Sequence, residues 1–178
     1  MLKLLLIIFL LPPAISFAQD TPDTTGSRIS PQDARAIVDY HNKVRSDQHV
    51  APLSWSTQLA AYAQNWADSL ANTYHCKLIH RSGAGTNYLG YGENLYEGSS
   101  STGKENPLNA AMAWYDEIKS YHYGKLSESN WFKTGHYTQM VWKNTVEMGV
   151  GVATCPSGAV IIVANYNPPG NYMGEFPY

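Results

Sequence analysis

Cysteine is scarce in this chain. Its 178 residues hold two, Cys76 and Cys155, and their spacing fits no CxxC motif, which argues against a dithiol redox centre or a cysteine-rich zinc site. Long apolar runs are missing too. The longest, residues 4–11, has eight positions, far short of the roughly 20 that cross a bilayer as a helix. No transmembrane segment is therefore expected. No basic stripe offsets the net charge of -2, so nucleic acid is excluded as a partner on electrostatic grounds. There is no HExxH zinc motif, no GxSxG nucleophile elbow, and no internal repeat.

What is present begins with a leader. Lys3, the apolar run 4–11, Pro12-Pro13 and the small-residue pattern Ser16-Phe17-Ala18 form a secretory signal peptide over 1–18, cleaved after Ala18. Its removal takes away Lys3 and moves the net charge from -2 to -3. A secreted, extracellular chain of about 160 residues follows, enough for one self-sufficient core. In an exported protein two cysteines read by default as a disulfide. Closing the 79 positions between Cys76 and Cys155 would stabilise by roughly 4–5 kcal/mol in the chain-entropy model.

Residues 19–29 lack apolar periodicity over most of their length and are expected to be a flexible leader. Ser30-Pro31 then supplies an N-cap and a first-turn proline. Ala34, Ile37, Val38, His41 and Val44 continue at helical spacing, so His41 is expected as a hydrogen-bonded core residue. A second helix starts at Ser56, with Leu59, Tyr62, Ala63, Trp66 and Leu70 on one face. A third is capped by Asn106-Pro107, with Leu108, Ala111, Met112 and Tyr115 as its apolar face. The glycine-rich stretch between them, 83–103, reads as a loop, too irregular for regular elements except near 91–96. Runs rich in β-branched and aromatic residues at 136–142, 146–153 and 159–166 predict an antiparallel meander. The last, Val160-Ile161-Ile162-Val163, does not alternate and predicts a strand buried on both faces. The fold class expected is α+β, a three-layer α-β-α sandwich around a mainly antiparallel sheet.

Five stretches carry a family resemblance: His41-Asn42-Lys43-Val44-Arg45, Gly92-Glu93-Asn94-Leu95, Trp114-Tyr115-Asp116-Glu117, the run GHYTQMVW at 135–142, and Asn165-Tyr166-Asn167-Pro168-Pro169-Gly170-Asn171-Tyr172. Together they resemble the CAP (SCP) proteins, and most closely the plant pathogenesis-related class 1 members, over residues 30–178. The resemblance implies the same sandwich. It implies that Cys76 and Cys155 are a bonded pair, and that a second family bridge is replaced here by apolar Val150 and Ala164. It also assigns His80, Glu93, Glu117 and His136 to one central cavity, which their separations of 13, 24 and 19 positions could not reveal.

Two imidazoles facing two carboxylates support three readings. His80 and His136 can ligate zinc or another divalent ion, with water or a carboxylate completing the shell. Alternatively, each glutamate orients one histidine in a metal-free network. Or Glu93 and Glu117 act as acid and base in metal-dependent peptide or ester hydrolysis. Asn94 and Gln139 adjoin the four and would hydrogen-bond around them, while strand alternation would turn Tyr137 away from His136. His49, His75 and His122 read as solvated. Family relatives that bind sterols or fatty acids suggest a lipid or partner loop at Tyr88, Tyr91, Leu95 and Tyr96. The function expected is a monomeric binding module for a small apolar ligand or an extracellular protein, with a metal-capable cavity and a defence role by resemblance. Hydrolysis is the alternative.

Overall fold

The computed structural model describes residues 24–84, 89–99 and 105–178. The signal peptide, the first part of the leader and Tyr88 lie outside the described residues. The leader's described part packs on the domain: Thr25 and Ile29 are buried, and the Trp55 indole N–H donates to Thr25 O at 2.9 Å.

Helix α1 spans Pro31–Asp47, with the Ser30 side chain accepting from Asp33 N and proline in the first turn. Its buried stripe is Ala34, Ile37, Val38, His41, Val44 and Arg45. After the short strand β1, Ser54–Trp55, helix α2 (Thr57–Asn72) is capped by Ser56 and buries Leu59, Ala63, Trp66 and Leu70. A 3-10 turn at Arg81–Ala84 leads to strand β2, Gly92–Ser99. Helix α3, Pro107–Asp116, is capped by Asn106 and runs into a 3-10 turn at Glu117–Ser120. Helix α4 is Trp131–Met140, and the hairpin strands β3, Glu147–Thr154, and β4, Ala159–Asn167, complete the domain.

The sheet order is β1-β3-β4-β2. β3 and β2 flank β4 antiparallel, and β1 joins the β3 edge parallel. Alternate side chains of β4 separate the two cores. Val160, Ile162, Ala164 and Tyr166 pack with Ile37, Trp114 and Tyr137 from α1, α3 and α4. Ile161 and Val163 pack with Ala63, Trp66 and Leu70 of α2. This is the α-β-α sandwich, and its non-alternating strand is an inner one, between β3 and β2. Cys76 and Cys155 are bonded, with Cα atoms 6.1 Å apart. Val150 and Ala164 face each other across β3 and β4, both with no exposed surface.

Three expectations need correction. The run at 136–142 is helical through Met140, not a strand. Burial there is continuous from Tyr137 to Trp142, so no periodicity marks the helix, and the β-branched and aromatic composition suggests a strand. The meander therefore loses its first strand, and β2, from within the glycine-rich stretch, takes a place beside β4. The face of α3 is rotated: Pro107, Ala110, Ala111 and Trp114 are buried, while Met112 is half exposed. Trp114 sets that rotation, because its indole N–H donates to Leu95 O inside the core at 3.0 Å.

Candidate functional site

The four cavity residues come from four different elements. His80 precedes the 3-10 turn after α2, Glu93 is the second residue of β2, Glu117 follows α3, and His136 lies on α4. All four line one cleft of about 480 Å3. Within it they form two pairs. His80 Nδ1 is 2.9 Å from Glu93 Oε1, and His136 Nδ1 is 2.7 Å from Glu117 Oε1. Each carboxylate thus fixes a tautomer with the proton on Nδ1, and the lone pair of Nε2 is left for another partner.

The two glutamates differ in what else they hold. Glu117 Oε2 accepts the backbone N–H groups of His136 at 2.8 Å and Tyr137 at 3.0 Å, so both its oxygens are engaged. Glu93 Oε1 also accepts the Arg81 N–H at 3.0 Å. Its Oε2 is buried with no hydrogen-bond partner among the described residues, although the side chain is only 7% exposed. A buried acceptor without a partner invites a donor or a cation. The His80 ring, 51% exposed, stands at the mouth.

Arg81 pins the His80 segment to α2. Its guanidinium carbon sits 3.8 Å from the Tyr62 ring centroid, and its terminal nitrogens donate to Tyr62 O and Asn65 Oδ1 at 3.1 Å each. Sequence reasoning did not single out this residue.

Asn94 is buried beneath the His136 pair. Its side-chain N–H donates to His136 O at 3.1 Å and to the Tyr166 hydroxyl at 3.3 Å. Tyr166 in turn meets His41 Nε2 at 3.0 Å, and His41 Nδ1 meets Ile37 O at 2.8 Å. A buried polar chain therefore links α1 to the cleft floor. Burial lowers the His41 pKa to about 4 and raises that of Tyr166, so both are neutral and Tyr166 donates to His41.

Gln139 serves a different wall. Its Oε1 accepts from Gly170 N at 2.9 Å and its N–H donates to Thr145 Oγ1 at 3.3 Å. It holds the C-terminal segment, where Asn171 also bonds Thr138 Oγ1 at 2.7 Å and Gly135 O at 2.8 Å. Tyr137 has its side chain in the core, as expected, but through the turn of a helix and not through strand alternation. His49, His75 and His122 are exposed.

Of the four residues suggested as a lipid or partner loop, two lie on strand β2. Leu95 is buried in β2 opposite Val163, and Tyr96, opposite Ile162, packs on the core. Tyr91 does line the cleft, edge-on to Tyr62 at 5.1 Å. Apolar surface at the mouth comes instead from Trp131, Phe132 and Met173, which are 43%, 60% and 50% exposed. Phe132 lies one helical turn before His136, a relation hidden while 136–142 is read as a strand.

A family model described as "CAP: Cysteine-rich secretory protein family" matches residues 38–166. Pathogenesis-related protein 1A of Nicotiana tabacum is 42% identical over 141 residues, covering 79% of this chain and 78% of that protein. Pathogenesis-related protein 1 of Arabidopsis thaliana is 39% identical over 141 residues, covering 79% and 80%. Among solved structures, BmVAL-1 superposes with a TM-score of 0.71 at 28% identity, covering 86% of this chain and 84% of that one. NaASP2 with Zn2+ superposes with a TM-score of 0.70 at 25% identity, covering 84% and 86%.

Proposed function

Since the chain belongs to the cysteine-rich secretory protein (CAP) family and resembles its plant pathogenesis-related 1 members, we propose that it is a secreted binding module whose central cleft is the ligand site. The cleft takes a small, partly apolar ligand or the tip of a protein target, and its histidine pair takes a divalent ion. The observation that carries this reading is the pairing itself: two glutamates each hold one Nδ1, which leaves two imidazole Nε2 atoms in one cleft. Carboxylates in that position behind a histidine are the usual support of a metal ligand.

The donor set fits zinc as a weak site. Among the described residues, no three His, Cys, Asp or Glu side chains gather to hold an ion by themselves, so the proposed site rests on two protein ligands, His80 and His136. Water completes the shell. A bound ion would supply a Lewis-acid centre for a ligand oxygen. The related NaASP2 fold was solved with zinc, which supports the choice of ion. A binding role is favoured over hydrolysis because Glu117 is saturated with three hydrogen bonds. A carboxylate so engaged is an orienting group, poorly placed to shuttle a proton.

Isothermal titration with zinc tests the reading. Wild type should bind at pH 7.5, and binding should weaken at pH 5.5, because a metal ligand must be a neutral imidazole. His80→Ala and His136→Ala should each weaken it by about tenfold or more, and Glu117→Gln by a similar factor. Unchanged affinity in both histidine variants would remove the metal from the proposal.

A further inference from the structure

The cleft carries an electrostatic asymmetry that its metal chemistry leaves unused. Its lining includes Glu93 and Glu117 and, among the described residues, no lysine or arginine. Arg81, the nearest cation in sequence, turns its guanidinium onto the Tyr62 ring of α2. Lys133 lies outside the lining, with Nζ 5.5 Å from the Phe132 ring centroid. The Nδ1 atom of each imidazole is taken up by a glutamate, and each Nε2 stands outside its pair. Glu93 Oε2 is an acceptor, buried and without a partner among the described residues. The rim is apolar and aromatic, through Trp131, Phe132 and Met173.

From this combination we infer that the cleft binds a small organic ammonium ion, a primary amine carrying an aryl or branched alkyl arm. The ammonium supplies N–H donors and a positive charge, which match the Glu93 acceptor and the two carboxylates of the lining. The arm covers the Trp131 and Phe132 rings by apolar contact. A carboxylate ligand would meet Glu93 as a like charge, and a neutral alcohol would satisfy the acceptor without the charge. The inference rests on the cleft being a binding site but not on metal occupancy. Zinc on the histidines and an ammonium at Glu93 would put two cations in one cleft, so they should exclude each other.

Three probes of one shape separate the alternatives: phenethylammonium, 2-phenylethanol and 3-phenylpropionate, titrated into the full secreted chain in EDTA at pH 7.5 and low salt. Binding is read by amide chemical shifts and tryptophan fluorescence. Phenethylammonium should bind at least about tenfold more tightly than either analogue, as a charge-assisted hydrogen bond implies, with shifts at Gly92, Glu93, Trp131 and Phe132. Glu93→Gln should reduce the ammonium to the level of the alcohol, and Phe132→Ala should weaken ammonium and alcohol alike. Adding zinc in excess of EDTA should reverse the shifts. The inference is overturned if 3-phenylpropionate binds as tightly as the ammonium, if the ammonium shifts fall elsewhere, or if it does not bind. If zinc then still binds through His80 and His136, the reading of the cleft as a binding site survives. If neither zinc nor any probe perturbs the cleft, that reading fails as well. The wild-type comparison decides the matter even if Glu93→Gln does not fold.

Discussion

A histidine sealed from water must settle on one protonation state, and His41 is held neutral. Its ring has no exposed surface, donates to Ile37 O and accepts from Tyr166. Burial places its folded pKa at about 4, below the ordinary 6.5. The unfolded chain therefore binds the proton first as pH falls. Stability contributed by His41 is complete above about 6.5, declines as pH drops, and is lost near 4. Urea midpoints of wild type and His41→Gln should differ most at neutral pH and converge towards pH 4. A constant difference would mean that His41 is not kept neutral. This core role was legible in the sequence, because His41 falls on an unbroken helical stripe. The bare oxygen of Glu93 was not, since nothing in a motif tells which carboxylate atom lacks a partner.

Elements in this fold approach closely where side chains are missing. On β3, Gly149 lies against the backbone of Leu59 and Ala60, and Gly151 against that of Ala63 and Gln64. A methyl group at either point would push α2 off the sheet. Gly149→Ala should therefore lower stability by about 1–3 kcal/mol, read as a lower urea midpoint with an unchanged slope. Gly135→Ala on α4 is the contrast. The nearest atoms to a new Cβ are 3.5 and 3.8 Å away, so helix propensity should raise stability by up to about 1 kcal/mol. An equal loss in both variants would show that close approach is not what the β3 glycines provide. Helices α1 and α2 were legible from their caps and stripes. Helix α4 was not, because Trp, Phe, Tyr, Thr and Val suit a strand by propensity, and only tertiary packing on α1 and α3 decides otherwise. Strand β2 was legible only in part, as the exception near 91–96 in the glycine-rich stretch, and its full length and partner appear through its register with β4.

At the scale of the molecule, the layer order follows from one strand, the non-alternating β4, whose two apolar faces each require a covering layer. The walls of the cleft do not follow from any pattern. Pro169, Gly170, Asn171 and Met173 form one wall from an irregular segment, and sequence periodicity says nothing about which surface such a segment covers. The opposite wall depends on a covalent tie. Cys76 is bonded to Cys155 beyond the end of β3, four positions before His80, and Arg81 is clamped on α2 immediately after it. His80 is thus held from both sides by contacts with the α2 layer and the hairpin. Replacing both cysteines by serine should cost up to roughly 4–5 kcal/mol on the loop-entropy estimate, seen as a lower thermal midpoint. If the tie also positions the ring, zinc affinity at neutral pH should fall with it, at temperatures where the variant remains folded. A lower midpoint with unchanged zinc affinity would assign the bond to the stability of the sandwich alone, and leave Arg81 as the group that places His80 at the mouth.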